Sequence, residues 1–298
     1  MSTPIYERGP IGGFTRELLI EYTKEWEGER FPDGRPRVSD DVIERMRNVT
    51  LTQAWGSCRG AEYNFQFEGG FMNTQPGNVL CGRAVTATFM PRRPDCRRAL
   101  DEQGEKGGHE GDHIHWPINM LVEGDVYVAD VFGKIDQGAV IGDNLAAMIK
   151  SRSGNGVLHD CSVRDVDGIR ELDDFACFAR GFHPSYASPT IMLTGLNGPT
   201  RIGGCTVMPG DVVLAKDDSV VFIPPYLAEE MVTTAEIVDL RDMFGKSRLA
   251  DGVYLPGQID GPWSDEVEKD FSGWLEDHID ELPVPKHAIQ DFLKKRTW

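Results

Sequence analysis

What this chain can fold into is narrowed most by a long β-patterned stretch that is broken by a single well-bounded helix. From Cys81 to Met90 the run CGRAVTATFM alternates and is rich in β-branched residues, as a half-buried strand is, and DVYVADVFG from Asp125 to Gly133 reads the same way. Between Ile141 and Gly156 the period changes. Leu145, Ala146, Met148 and Ile149 fall at helical spacing, Lys150 and Arg152 occupy the last turn, and Gly154 and Gly156 follow. Further strands are predicted at Gly156–His159, Ala176–Ala179, Ile191–Leu193, Asp211–Ala215 and Ser219–Ile223, the last two joined by a tight Lys-Asp-Asp-Ser turn. Together these predict an α/β domain of about 200 residues in which strands outnumber helices.

The flanks read differently. Ser39 followed by Asp40 and Asp41 predicts a helix start with acidic residues at the positive end of the dipole, ending near Val49, and a second short helix starts at Thr50 or Thr52. Towards the C-terminus, Ala228–Phe244 and Ser264–His278 read as charged amphipathic helices, with Trp263, Phe271 and Trp274 as aromatic anchors. The Gly- and Pro-containing segment 252–262 between them reads as ordered loop rather than helix. The expected organisation is an N-terminal arm over 1–38, a catalytic domain over 39–234 and a helical C-terminal extension over 235–298.

Charge and composition remove several classes of function. With 31 Lys+Arg against 48 Asp+Glu the net charge is -17, which repels phosphate backbones and anionic membrane surfaces, so neither nucleic acid nor membrane is an expected partner. No run approaches the roughly 20 apolar residues of a membrane span, and the N-terminus carries no signal pattern, so the expected location is cytoplasmic. The six cysteines lack any CxxC pair and read as reduced, mostly buried thiols. On a surface this acidic, a small anionic substrate has to be drawn in by a local positive feature: a metal, an arginine or a helix N-terminus.

Two segments supply such features. The helix opening at Gly142-Asp143-Asn144-Leu145 presents uncapped N–H groups, and Gly142 allows close approach of a carboxylate. About twenty residues on, Arg164 and Asp165 follow a short strand. Adjacent strand residues point to opposite faces, so this pair can serve one site only where the strand has ended and the backbone has turned. There Asp165 offers a hard anionic oxygen to Mg²⁺, Mn²⁺ or another divalent cation, and Arg164 steadies a developing enolate oxygen.

The string DVYVADVFGKIDQGAVIGDNLAAMIKSRSGNGVLHDCSVRD, from Asp125 to Asp165, resembles the RraA-like family in its G-D-x-L-A helix start and its G-V-x-x-D-x-x-x-R-D segment. Cys81–Pro91, the Val207-Met-Pro-Gly-Asp-Val-Val strand and Val220–Pro224 are similar to further strands of that family, and GQIDGPW and DFSGWL to its longer members. The resemblance implies a swivelling β/β/α sandwich assembled as a homotrimer or hexamer. It implies a divalent-metal-dependent lyase that cleaves or decarboxylates a small anionic 2-oxo acid through a pyruvate enolate. By position, Gly142, Asp143, Asn144 and Leu145 would hold the substrate carboxylate, Asp143 and Arg164 would be catalytic, Arg164 would also bind substrate, and Asp165 would bind metal. Cys161, Lys216 and Ser219 depart from the family's usual Gly, Asp and Gly.

The segment from His109 to Trp116 gathers three histidines and two carboxylates on what reads as a loop, a candidate lid, with His115 as the residue expected to reach the substrate. Glu62 and Tyr63 are candidates to contribute from a neighbouring subunit. Two rival functions stand beside the lyase: a non-enzymatic acidic regulator of a ribonuclease, and a metal-dependent hydratase, dehydratase or isomerase acting on a sugar acid.

Overall fold

The computed structural model describes residues 11–280 together with 282, 284, 289 and 290. The chain divides into two compact units, Met1–Met231 and Val232–Trp298.

The first unit opens with helices α1 (Arg16–Tyr22), α2 (Asp40–Met46) and α3 (Leu51–Gly60). Each begins where a hydroxyl accepts a first-turn N–H: Thr15 from Leu18, Ser39 from Val42, and Thr50 from Gln53, whose own side chain completes a capping box. Strands β1 (Phe67–Glu68), β2 (Met72–Asn73) and β3 (Leu80–Pro91) follow, then helices α4 (Pro94–Lys106) and α5 (Trp116–Met120). Next come β4 (Asp125–Lys134), α6 (Asp143–Ser153), β5 (Val157–Val163), α7 (Val166–Arg170) and β6 (Cys177–Phe182). The remaining strands are β7 (Ile191–Leu196), β8 (Thr200–Ile202), β9 (Cys205–Val207), β10 (Val212–Lys216) and β11 (Ser219–Ile223).

A nine-stranded sheet runs β1-β11-β10-β3-β4-β5-β6-β2, with β7 also paired to β3. Its centre, β3 to β6, is parallel, and its other pairings are antiparallel. Parallel neighbours need crossovers, and α4 to α7 supply them. The two-residue period then sorts the strands' side chains. Val85, Tyr127, Ala129, Cys161 and Cys177 face the helices and are buried with Leu100, Trp116, Ile149 and Ile169. Ala84, Val126, Val128, Leu158 and Phe178 face the other way, onto Ile202, Cys205 and Val207 of the antiparallel β8–β9 ribbon. Ribbon, sheet and helices make the expected β/β/α layering. Because both faces are buried, a one-residue slip in β4 or β5 would exchange them.

Residues before α2 also pack into this unit. Arg35, 1% exposed, pairs with the fully buried Asp125 at the start of β4 at 3.0 Å and with Asp33 at 2.8 Å.

The second unit contains α8 (Ala228–Ala250) from Val232 onward, α9 (Pro256–Ile259) and α10 (Asp265–His278). Phe244 is the centre of its core, with ring centroids of Trp263 and Phe271 at 5.3 Å and of Trp274 at 5.9 Å. The aromatic anchors therefore build this unit's own interior. The short α9 corrects the expectation of plain loop there: Pro256 occupies the first turn, and the Gln258 side chain accepts the Leu255 N–H. All six cysteines are free, and only Cys96 is exposed. Among the described residues no helix is long and apolar enough to cross a membrane.

Candidate active site

β5 ends at Val163, and the chain turns there. Asp165 adopts the left-handed conformation, φ 52° and ψ 45°, which aspartate tolerates better than most residues, and it becomes the N-cap of α7. That turn brings two consecutive side chains to one side, with Arg164 Nη1 2.6 Å from Asp165 Oδ2. The backbone N–H of Arg164 donates to the Ile141 carbonyl at 3.1 Å, fixing the strand end beside the start of α6.

Two glycines allow the segments to meet. A methyl group on Gly142 would lie 2.5 Å from Asp165 Oδ2 and 3.2 Å from Arg164 Cγ and Cζ. One on Gly168 of α7 would lie 2.9 Å from Asp143 Oδ2. With no side chain at its N-cap, α6 is left uncapped. One first-turn amide, that of Asn144, donates to Asp143 Oδ1 at 2.7 Å; no hydrogen bond among the described residues engages those of Asp143 and Leu145.

Beside this junction is a cleft of about 350 Å³ lined by Arg164, Asp165, Asp167, Arg170, Phe182 and His183, among others. Arg164 and Asp165 are 37% and 41% exposed there, open enough to meet a solute. His183 comes from the end of β6. Its Nδ1 accepts the N–H groups of Gln137 and Ser185, both at 3.2 Å, which leaves the ring proton on Nε2, 3.0 Å from Asp136 Oδ1. The imidazole thus ties the 135–137 loop to the end of β6. Asp160, earlier on β5, is held by Arg180 Nε at 2.6 Å, and Arg180 also pairs with Glu68 at 3.0 Å.

Of the residues singled out from sequence, Gly142, Asp143, Arg164 and Asp165 are brought together, with Asn144 and Leu145 in the same first turn. His115 is not joined to them. It stands at the start of α5, where its Nδ1 accepts the Asp112 N–H at 3.1 Å. Its neighbours show that the segment is a packed corner rather than a lid. His113 is fully buried between Asp112, at 3.0 Å, and the Ile191 carbonyl, at 3.2 Å, and His109 stacks on the buried Trp116. Among the described residues no three His, Cys, Asp or Glu side chains form a metal cage.

The family description "RraA-like: Aldolase/RraA" matches residues 38–222, more than half of the sequence. The chain belongs to the RraA-like family. Protein DlpA of Legionella pneumophila is 26% identical over 231 residues, which cover 75% of this chain and 35% of that protein. A Halalkalibacterium halodurans protein named "Putative 4-hydroxy-4-methyl-2-oxoglutarate aldolase" is 29% identical over 130 residues, 44% of this chain and 60% of its own length. This RraA-like chain therefore spans about a third of one relative and under two thirds of the other. Among solved structures, a Streptomyces coelicolor protein described as "an unusual member of the RNase ES inhibitor RraA protein family" is similar at 26% identity and a TM-score of 0.60, covering 71% of this chain and 98% of that one. The matched span contains every residue of the cleft and ends before the second unit.

Proposed function

We propose that the RraA-like domain is a divalent-metal-dependent lyase that cleaves, by retro-aldol reaction, or decarboxylates a small anionic 2-oxo acid. The carrying observation is the junction itself: a bare helix N-terminus at Gly142 in van der Waals reach of an Arg164–Asp165 pair that opens on a cleft. The Halalkalibacterium relative, by its name "Putative 4-hydroxy-4-methyl-2-oxoglutarate aldolase", supports the same reading.

The donor set fits a hard cation that keeps most of its waters. Asp165 is an exposed carboxylate with one oxygen shared with Arg164, and among the described residues no protein cage surrounds it. Asp165 would hold Mg²⁺ or Mn²⁺, which would supply Lewis-acid polarisation of the substrate's 2-oxo group. The uncapped amides of α6 orient the substrate carboxylate, and the positive end of the helix dipole favours it. Arg164 donates to the oxygen on which negative charge grows as the carbon–carbon bond breaks, an interaction worth most in the transition state. Asp143, with Oδ1 engaged by Asn144, keeps Oδ2 for proton transfer. The exposed Phe182 and Tyr186 near the cleft support a homo-oligomer, trimer or hexamer, in which a second copy covers this edge. The proposed setting is the cytoplasm, without nucleic acid or membrane as partner.

Purified protein with Mg²⁺ or Mn²⁺ is expected to release pyruvate from a 4-hydroxy-2-oxo acid or from oxaloacetate, and EDTA to stop it, in a coupled assay across a 2-oxo acid panel. Arg164→Ala should lower kcat about 10²–10³-fold. Asp165→Asn keeps the left-handed turn, removes the charge and should abolish the response to metal. Unchanged rates in both variants would refute the assignment.

A second reading is favoured by the Streptomyces likeness and the net charge of -17: an acidic module that masks a basic protein such as a ribonuclease. Salt-sensitive capture of a ribonuclease without turnover on any 2-oxo acid would favour it. Turnover on a sugar acid alone would instead move the chemistry to a hydratase, dehydratase or isomerase.

A further inference from the structure

The first unit holds another cavity, of about 210 Å³, that shares no residue with the Arg164–Asp165 cleft. Its walls come from the end of α1, from the segment after α3, from the turn before β10 and from the residues after β11. Tyr22, Tyr63 and Tyr226 line it together with Gln66, Glu25 and Asp211. No lysine, arginine or histidine is among the residues lining it.

Asp211 is the unusual member. It is 4% exposed, and its Oδ2 accepts the Met208 N–H at 2.8 Å, a turn that asparagine would close equally well. No hydrogen bond among the described residues engages its Oδ1. Burying a carboxyl with a single hydrogen bond is costly, and burial pushes this one up to about 7 against the pull of the Met208 N–H. The turn explains one oxygen; the cavity is what remains for the other. Elsewhere on the lining the Tyr226 hydroxyl donates to that of Tyr63 at 3.0 Å, with the two ring centroids 6.4 Å apart, and Glu25 stands exposed among the lining residues.

We propose that this cavity binds a small organic ammonium, with the charged head on Asp211 and the carbon skeleton among the three tyrosine rings. The cation supplies the buried carboxylate with its missing partner, and aromatic faces attract it further. Asp211 and Glu25 exclude anions, so the 2-oxo acid proposed for the other cleft is not a candidate here. This inference stands independently of the lyase reading.

Calorimetric titration of the full chain at pH 8 with benzylammonium chloride, and with benzyl alcohol as a neutral ligand of the same shape, tests it. The ammonium should bind saturably with one site per chain, about tenfold tighter than the alcohol. Asp211→Asn retains the bond to the Met208 N–H and should weaken ammonium binding about tenfold. Equal binding of the two ligands, undiminished affinity in Asp211→Asn, or no saturable binding of either overturns the proposal. Should Asp211→Asn fail to fold, Tyr226→Ala carries the test, since it removes an exposed wall. A several-fold loss is expected there, and unchanged affinity overturns the proposal.

Discussion

Gly142 serves the site by lacking a side chain. Its backbone is extended, φ -122° and ψ -166°, so alanine is not strained there, but the added methyl would sit 2.5 Å from the Asp165 carboxylate. Gly142→Ala should therefore keep its melting temperature within a few degrees while kcat falls about 100-fold, because the carboxylate has to move by a distance that matters to catalysis. Circular dichroism melting and the pyruvate assay on one preparation check it; full activity would mean that the Arg164–Asp165 geometry is not what the reaction uses. At this scale the sequence was informative where strand geometry imposed a demand. Consecutive residues 164 and 165 could share a site only past a strand end, and Asp165 is left-handed at that place. It was silent where rotamers decide, as in the bond from the Asn144 N–H to Asp143, and where a distant strand contributes, as His183 does. Only the adjacency of β5 and β6 in the sheet pointed to that histidine.

Among the elements, those with an apolar period were readable and those held by charge were not. Every strand expected between Cys81 and Ile223 forms, as does the helix at Asp143. α4 went unread because PDCRRALDEQGEK contains little apolar periodicity and buries only Leu100 and Gly104. Its ends carried the available signal: proline in the first turn, Asp95 beside it and Lys106 in the last turn before Gly107. The pair that links Arg35 to the start of β4 was likewise invisible, since nothing local joins residues ninety positions apart. Removing the cation would leave Asp125 buried without its ion-pair partner, held only by the Val122 N–H and the more distant Arg83. Arg35→Ala should then cost about 3–5 kcal/mol, read as a lower denaturation midpoint in urea. A loss below about 1 kcal/mol would mean that this pair contributes no more than one at the surface.

For the whole molecule the decisive quantity is the field of a chain with net charge -17, which opposes the approach of an anionic substrate from every direction. On the proposed reading the attraction that overcomes it is local, from Arg164 and the amides of α6, and acts at contact distance. Salt separates the two ranges, because the Debye length falls from about 30 Å at 0.01 M to about 8 Å at 0.15 M while contacts of a few ångström are scarcely screened. With metal held saturating, KM for oxaloacetate should therefore fall a few-fold between about 0.01 and 0.15 M NaCl at nearly constant kcat. Arg164→Ala should show the same trend on its residual rate, since the repulsion does not come from the cleft. An acidic module binding a basic protein requires the opposite dependence, weaker association as salt rises. If KM instead climbs with salt, long-range attraction dominates the approach, and the substrate is not the small anion that the cleft has been taken to bind.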